Sequence, residues 1–260
     1  MYEERLKLLA LLIHSNLAEP VTHILDVGAH SGDWTRTMNK LFQDSKFLMI
    51  EANPKKTKAL TIYSQQSGHE FEIAIVGDKP RTVTFHAHKH FNTGGSLYRE
   101  ENYKYWKPHV IETFTGEMQT IDSIVARRGF GPPQLLKIDI QGAEFIALLG
   151  ATKTLETVQY VLLEASVHQY NPGAAGFADI NTFLDSQGFR LYDIIDFRQD
   201  KLVYDKLPNN VQWGPENKFP VGKILMQFDC LWARNTSKLF HNQGYSNPPK
   251  SRYSYTLLPE

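Results

Sequence analysis

A few ionisable residues in the second half of the chain have the types and the spacing needed for proton transfer. Lys137 and Asp139 lie two residues apart at the end of an apolar run, so on a β-strand their side chains share one face. Asp139 can then act as a general base, and Lys137 can stabilise a developing oxyanion. An ion pair that only holds the strand end is the alternative for these two. Glu144 on the next helix and His168, four residues after Glu164, complete the predicted catalytic set, since an imidazole accepts protons near neutral pH.

The same carboxylates raise the question of a metal. If a divalent cation is bound, we expect Asp139, Glu144 and Glu164 to hold it, because hard cations prefer oxygen ligands. A strand could also place three alternating imidazoles on one face for Zn2+, namely those of His86, His88 and His90. The sequence does not show whether either group converges, so metal dependence stays open.

The segment from Asp26 to Trp34, with the sequence DVGAHSGDW, joins an apolar strand to a helix. Gly28 and Gly32 allow a tight turn and the close approach of a ligand, and a helix N-terminus offers free N–H groups. In an open α/β sheet, ligands bind in this crevice. The G-x-G-x-x-G spacing of dinucleotide sites and the phosphate loop G-x-x-x-x-G-K-[ST] are both absent, which disfavours a pyrophosphate ligand.

A sulfonium nucleoside, S-adenosylmethionine, fits this turn better because it carries no phosphate. Asp26 can accept a hydrogen bond from its amino group, and Glu51, which ends the second predicted strand, can accept from both ribose hydroxyls. The residues predicted to bind the cofactor lie around these strand ends: Asp26, Gly28, His30, Gly32, Asp33, Trp34, Glu51, Ala52, Asn53 and Asp139.

Residues 89–118 form a long stretch with little periodicity, in which aromatic side chains are interleaved with basic ones. Long loops in compact domains are usually functional or disordered, and aromatic rings stack on the apolar faces of sugars. We therefore predict an acceptor-binding lid that hinges near Gly94 and Gly95. The alternative is that the aromatics only fill an edge of the core. The predicted acceptor-binding residues are Ser96, Tyr98, Gln141 and Glu164.

Strand-like and helix-like segments alternate along most of the chain, which predicts a parallel sheet with helices on both faces. The predicted strands are 22–27, 46–51, 71–76, 134–139, 159–164, 189–196 and 224–232, with 82–88 as a hairpin partner of 71–76. The predicted helices are 3–17, 33–42, 54–66, 121–128, 143–150 and 176–187. We expect an N-terminal helix within 1–20, one domain over 21–234 with an insertion at 197–222, and a surface tail over 235–260.

The composition argues against several classes of protein. The 260 residues include 28 Lys+Arg and 28 Asp+Glu, so the formal net charge is zero, which weighs against a nucleic-acid partner. Cys230 is the only cysteine, which excludes an internal disulfide and a multi-cysteine zinc site. No segment has the pattern of a secretory signal or a membrane span. We expect a cytoplasmic protein whose partner is a small molecule or a glycan.

Several motifs occur in the order seen in FkbM-type methyltransferases, and over residues 22–232 the chain resembles that family. They are DVGAHSG from Asp26, IEANP from Ile50, GGSL from Gly94, TIDS from Thr120, LKIDIQGAE from Leu136 and VLLE from Val161. The resemblance implies a Rossmann-like class I methyltransferase fold with a mostly parallel seven-stranded sheet. It also implies S-adenosylmethionine as cofactor and O-methylation of an acceptor hydroxyl, most plausibly on a carbohydrate.

Two residues depart from the family pattern. His30 stands where the family usually has Asn, at the methionine end of the expected cofactor site, and Gln141 stands where it usually has Glu. The second change removes a charge beside the predicted active site. Two other functions therefore stay open: a non-catalytic S-adenosylmethionine-binding module, and a nicotinamide-dependent oxidoreductase, which the missing G-x-G-x-x-G disfavours.

Overall fold

The computed structural model describes residues 2–89, 95–98, 111–167, 173–201 and 223–241. Several predictions lie outside these ranges: His90, His168, most of the predicted lid, most of the predicted insertion, and the tail beyond residue 241. Within the described ranges, no helix has the length and apolar character needed to cross a membrane.

The helices and strands follow the predicted alternation. The strands are β1 (His23–Val27), β2 (Lys46–Glu51), β3 (Glu70–Ile73), β4 (Ile75–Val76), β5 (Arg81–His88), β6 (Ile111–Gln119), β7 (Leu135–Ile138), β8 (Tyr160–Ser166), β9 (Phe189–Lys201) and β10 (Lys223–Arg234). The helices are α1 (Tyr2–His14), α2 (Asp33–Asn39), α3 (Thr57–Ser67), α4 (Ile121–Arg128), α5 (Glu144–Leu149), α6 (Thr152–Leu155), α7 (Phe177–Ser186) and α8 (Lys238–His241).

The main sheet has seven strands in the order β3-β2-β1-β7-β8-β10-β9. All pairs from β3 to β8 are parallel, and β10 runs antiparallel to both β8 and β9. The central strands β1, β2 and β7 are buried along nearly their whole length because both faces of the sheet are covered, and apart from Asp26, Glu51 and Lys137 their buried side chains are apolar. This topology confirms the predicted Rossmann-like, mostly parallel fold. The strand order reverses between β1 and β7, the place where such sheets bind ligands.

Helices cover both faces of the main sheet, as predicted. On one face, α1 and α2 pack through Leu6, Leu9 and Met38 against strand residues that include Ile24 and Leu162. On the other face, buried side chains of α4, α5 and α7 form the larger core cluster with the alternate residues of the same strands. On the first of these faces, charged residues replace the apolar ones near the strand ends, and part of the candidate site lies there.

The region around the third predicted strand differs from the prediction. The run 71–76 is divided: β3 pairs with β2 in the main sheet, whereas β4 joins a second sheet of order β4-β6-β5. The hairpin partner of β5 is β6 rather than the third strand. β6 was missed because its buried side chains, such as Met118, alternate with Glu and Thr within a stretch that has no overall periodicity. The last eight residues of the predicted lid, 111–118, therefore form a strand.

Two predicted boundaries also shift. α2 ends at Asn39, whereas the prediction extended it to Phe42. β9 continues to Lys201 beside β10, so residues 197–201 of the predicted insertion belong to a strand of the main sheet.

Candidate active site

The turn after β1 places backbone close to the end of β7. Gly28 has a φ of 80°, and a Cβ atom built on it would lie 1.9 Å from the carbonyl oxygen of Asp139. Glycine is required here by the approach of a second strand end, a reason the sequence alone did not supply. Gly32 has a φ of 81° and faces the Tyr63 ring, so it lets α2 begin against α3.

Glu51 links the ends of β1 and β2. Its Oε2 accepts a hydrogen bond from the backbone N–H of His30 at 2.7 Å, and its Oε1 accepts one from the backbone N–H of Asn53 at 2.7 Å. The side chain is almost buried, and each carboxylate oxygen keeps a further lone pair. Glu51 can therefore accept ribose hydroxyls while it holds both turns in place.

A first cavity opens above these strand ends and has a polar and an apolar part. The polar part is lined by residues that include His30, Glu51, Asn53, Asp139 and Gln141. The apolar part is lined by residues that include Ile50, Ala74, Val76, Leu97 and Ala143. Gly28, Ala52, Phe85 and Ile140 border both parts. This division suits a nucleoside, with the ribose beside Glu51 and the base in the apolar part, so the residues present fit S-adenosylmethionine.

Lys137 and Asp26 form a buried ion pair beneath this cavity. The Lys137 Nζ lies 3.1 Å from Asp26 Oδ1 and 3.8 Å from Asp139 Oδ2, and it donates to the Gly28 carbonyl at 3.2 Å. Burial alone lowers the pKa of Lys137, but the carboxylates of Asp26 and Asp139 outweigh burial and raise it. Thr35 donates to the other oxygen of Asp26 at 2.7 Å. Asp26 is thus fully buried and held by protein groups.

A second cavity, of about 220 Å³, lies beside the first on the α1 and α2 face of the sheet. Its polar walls come from Tyr2, Trp34, Lys137, Asp139, Glu164 and Asp229. The Trp34 indole N–H donates to the Tyr2 hydroxyl at 2.9 Å, which joins the two aromatic walls. Asp139 borders both cavities.

The carboxyl groups of the second cavity have perturbed acidities. Burial raises the pKa of Glu164 to about 9, with repulsion from Asp139, Glu144 and Asp229 adding to the shift. Burial, followed by the charge of Asp139, raises the pKa of Asp229 to about 7. Burial and these neighbouring charges thus favour the protonated form of Glu164, which can donate a hydrogen bond.

Gln141 connects the two carboxyl groups that flank it. Its Nε2 donates to Asp139 Oδ1 at 2.9 Å and to Glu164 Oε2 at 3.4 Å. Its backbone has a φ of 55°, and its carbonyl accepts a hydrogen bond from Ser96 Oγ at 2.7 Å. An amide at this position donates to both groups, whereas a carboxylate would repel them.

Glu144 belongs to the turn between β7 and α5. Its carboxylate accepts hydrogen bonds from the backbone N–H groups of Ile140 at 2.9 Å and of Gly142 at 2.9 Å. Burial raises its pKa to about 7 despite these bonds. No three His, Cys, Asp or Glu side chains in the described part of the chain come together as a metal site. Asp139, Glu144 and Glu164, the residues expected from the sequence to hold a cation if one is bound, do not form such a group.

Several predicted binding residues lie elsewhere. Trp34 borders the second cavity rather than the first. Asp33 is largely exposed and pairs with Arg36 at 3.1 Å, because the first turn of α2 directs it to solvent. Ser96 is buried, and its hydroxyl fastens residues 95–98 to the turn after β7 because it accepts from the Tyr98 N–H at 3.0 Å and donates to the Gln141 carbonyl at 2.7 Å. Asp33 and Ser96 therefore stabilise α2 and the β7–α5 turn, whereas Trp34 belongs to the second cavity.

Tyr2, Lys56 and Asp229 were missed by the sequence reasoning. Asp229 had a signal, because a charged residue interrupts the apolar run of β10 and its register partner is Glu164. Tyr2 reaches the site only through the packing of α1, and Lys56 enters the first cavity only through the short 3₁₀ turn Pro54–Lys56. Neither position has a local sequence signal.

A family model described as "Methyltransferase FkbM domain" matches residues 26–191. No curated protein matches the chain.

The solved structures that match the chain are distant in sequence. The methyltransferase FkbM from Methylobacillus flagellatus KT is 15% identical with a TM-score of 0.46, and the match covers 82% of this chain and 43% of that one. Precorrin-6y C5,15-methyltransferase from Geobacter metallireducens GS-15 is 8% identical with a TM-score of 0.39, over 88% and 89% of the two chains. A SAM-dependent methyltransferase from Agrobacterium tumefaciens is 10% identical with a TM-score of 0.43, over 89% and 62%. On the family match, which spans more than half of its length, the chain belongs to the FkbM methyltransferase family.

Proposed function

We propose that this protein transfers the methyl group of S-adenosylmethionine to a hydroxyl of a carbohydrate acceptor. The observation that carries the proposal is that Asp139 borders both cavities, one suited to a nucleoside and the other to a polar acceptor. The family implies the methyl donor. When bound, the cofactor supplies an electrophilic methyl group.

Residues of the first cavity would hold the cofactor. Glu51 would accept the ribose hydroxyls through its free lone pairs, and Ala52 and Ile140 would contact the base. The backbone bonds from His30 and Asn53 fix the Glu51 carboxylate before the ligand arrives, so little side-chain entropy is lost on binding.

Asp139 would accept the proton of the acceptor hydroxyl. Gln141 donates to one oxygen of this carboxylate at 2.9 Å and orients it, while the other oxygen lies 3.8 Å from the Lys137 ammonium. Lys137 is paired more closely with Asp26, at 3.1 Å, but it also lines the second cavity, where its charge would offset the negative charge that develops on the acceptor oxygen.

The second cavity has the chemistry of a sugar site. The Tyr2 and Trp34 rings offer apolar faces, and Glu164 and Asp229 offer hydrogen-bonding groups for hydroxyls. The acid form of Glu164 can donate to a sugar oxygen, which an ionised carboxylate cannot. These groups support a carbohydrate acceptor over an apolar one.

Calorimetry with S-adenosylhomocysteine, the product form of the cofactor, tests the assignment. We expect wild-type binding that Glu51→Gln weakens roughly tenfold, because a hydrogen bond to a charged group contributes about 1.5–3 kcal/mol. The matched control is Glu156→Gln, an exposed change at the end of α6. Absence of binding by the wild type, or undiminished binding by Glu51→Gln, would count against the cofactor site. Transfer of labelled methyl to pooled glycans then tests the acceptor.

A further inference from the structure

Lys56 lies in the wall of the first cavity and has no role in the function proposed above. It ends the 3₁₀ turn that follows Asn53, and only 8% of its surface is exposed. Among the described residues, its ammonium has no hydrogen-bond acceptor and no ion-pair partner. Lysines with so little exposed surface are mostly paired, so an unpaired ammonium in a cavity wall is unusual.

The nearby carboxylates do not supply that partner. Glu51 accepts backbone N–H groups at 2.7 Å, and no hydrogen bond or ion pair joins it to Lys56 in the described part of the chain. Asp33 is largely exposed and pairs with Arg36 at 3.1 Å. Burial lowers the pKa of Lys56, and the charges of Glu51 and Asp33 offset only part of this effect. An anion in the cavity would supply the missing interaction.

A second side chain in the wall of this cavity also has a nitrogen without a hydrogen-bond partner. His30 Nε2 is buried without a hydrogen bond, while Nδ1 on the other side of the ring lies 3.8 Å from Asp33 Oδ2. The backbone of His30 is fixed by its bond to Glu51, so the ring lies in the cavity wall in a defined place. With a proton on Nε2, the ring donates a hydrogen bond, as the ammonium of Lys56 does.

We propose that Lys56, together with His30, binds an anionic oxygen group of a ligand in the first cavity. The inference rests on the proposed function, because the amino-acid end of S-adenosylmethionine carries a carboxylate. The other source of the same chemistry is a carboxylate or phosphate on the acceptor. Loss of a charged hydrogen bond weakens binding by roughly tenfold or more.

Two adenosine ligands distinguish the sources by calorimetry on the full chain. S-adenosylhomocysteine carries the carboxylate, and methylthioadenosine lacks the whole amino-acid end. If the cofactor supplies the anion, Lys56→Met weakens S-adenosylhomocysteine binding roughly tenfold and leaves methylthioadenosine binding within about twofold. The matched control is Lys55→Met, because the neighbouring lysine is exposed and pairs with Glu112 at 2.6 Å outside the cavity.

If the acceptor supplies the anion, both adenosine ligands bind Lys56→Met as they bind the wild type. Inorganic phosphate, added with and without S-adenosylhomocysteine, then raises the melting temperature of the wild type and of Lys55→Met but not of Lys56→Met. Lys56→Gln replaces the methionine variant if that variant does not fold.

Two results overturn the inference. One is that Lys56→Met binds S-adenosylhomocysteine and phosphate as the wild type does. The other is an equal loss for both adenosine ligands, which assigns Lys56 to the shape of the cavity rather than to an anion. A wild type that binds neither adenosine ligand contradicts the cofactor assignment instead, and the phosphate measurement still tests Lys56.

Discussion

Asp139 is held by groups with different effects on its carboxylate. Gln141 donates to one oxygen, the Lys137 ammonium lies 3.8 Å from the other, and Glu164 adds a carboxyl group bridged through the same amide. Lys137 does not depend on Asp139 for its own charge, because it pairs more closely with Asp26 at 3.1 Å. Asp139 can therefore change its protonation state without releasing the buried lysine.

Asp139→Asn tests the proposed role of Asp139 as the base separately from cofactor binding. The amide keeps the shape of the side chain but cannot take a proton, so we expect turnover to fall by roughly 100-fold or more. Binding of S-adenosylhomocysteine should stay within a few fold, since Glu51 and the apolar part of the first cavity are unchanged. Single-turnover transfer of labelled methyl provides the measurement, and Asp185→Asn on α7 is the exposed control. Turnover close to the wild-type rate would remove Asp139 from the role of base.

Among the secondary-structure elements, the backbone of the turn after β1 lies very close to the end of β7. Gly28→Ala places a methyl group 1.9 Å from the Asp139 carbonyl oxygen, so the two strand ends must move apart. Gly68→Ala is a matched control, because Gly68 also has a positive φ of 73° but open space around it. We expect the control to lose about 1–2 kcal/mol of unfolding free energy through backbone strain alone.

Gly28→Ala should lose at least about 2 kcal/mol more than the control, together with its binding of S-adenosylhomocysteine. Urea unfolding and calorimetry on both variants make the comparison. Equal losses for the two variants would mean that the strand ends separate freely, and the tight packing around Gly28 would then have no energetic importance.

The elements also show where sequence reasoning succeeds. β1, β2 and β7 were predicted well, because strands buried on both faces are short segments made mostly of apolar residues. β6 was missed because a strand with one exposed face carries a weaker signal, and its Thr and Glu residues resemble a loop. The run 71–76 is divided because its two halves pair with strands of different sheets. This pairing is set by tertiary contacts, and no local sequence pattern indicates it.

The whole molecule assembles the second cavity from both ends of the chain. Tyr2 arrives on α1, Trp34 on α2 and Asp229 on β10, and Tyr2 borders the cavity because α1 packs against the central strands. Asp139 and Glu51 could be predicted because they end strands whose order the fold fixes. The aromatic wall could not, because no motif connects Tyr2 to Trp34 before α1 docks.

The carboxyl groups of this cavity make the free energy of unfolding depend on pH. The pKa of Glu164 is raised from 4.5 to about 9 in the folded protein, so between these values the native state holds a proton that the unfolded chain has released. Stability therefore falls as pH rises through this window, with a slope that approaches about 1.4 kcal/mol per pH unit for one group. Asp229 contributes in the same direction between 3.8 and about 7.

Glu164→Gln is neutral at every pH and should lose the Glu164 part of this dependence. We expect the variant and the wild type to have similar unfolding free energies near pH 5, and the variant to be more stable by more than about 1 kcal/mol at pH 8. Urea unfolding between pH 5 and 9 measures the difference, with Glu156→Gln as the exposed control that should follow the wild type at each pH. If the curves of the wild type and Glu164→Gln run parallel, the buried carboxyl of Glu164 is not protonated in the native state. It would then lose its proposed part as a hydrogen-bond donor to the acceptor, because an ionised carboxylate can only accept.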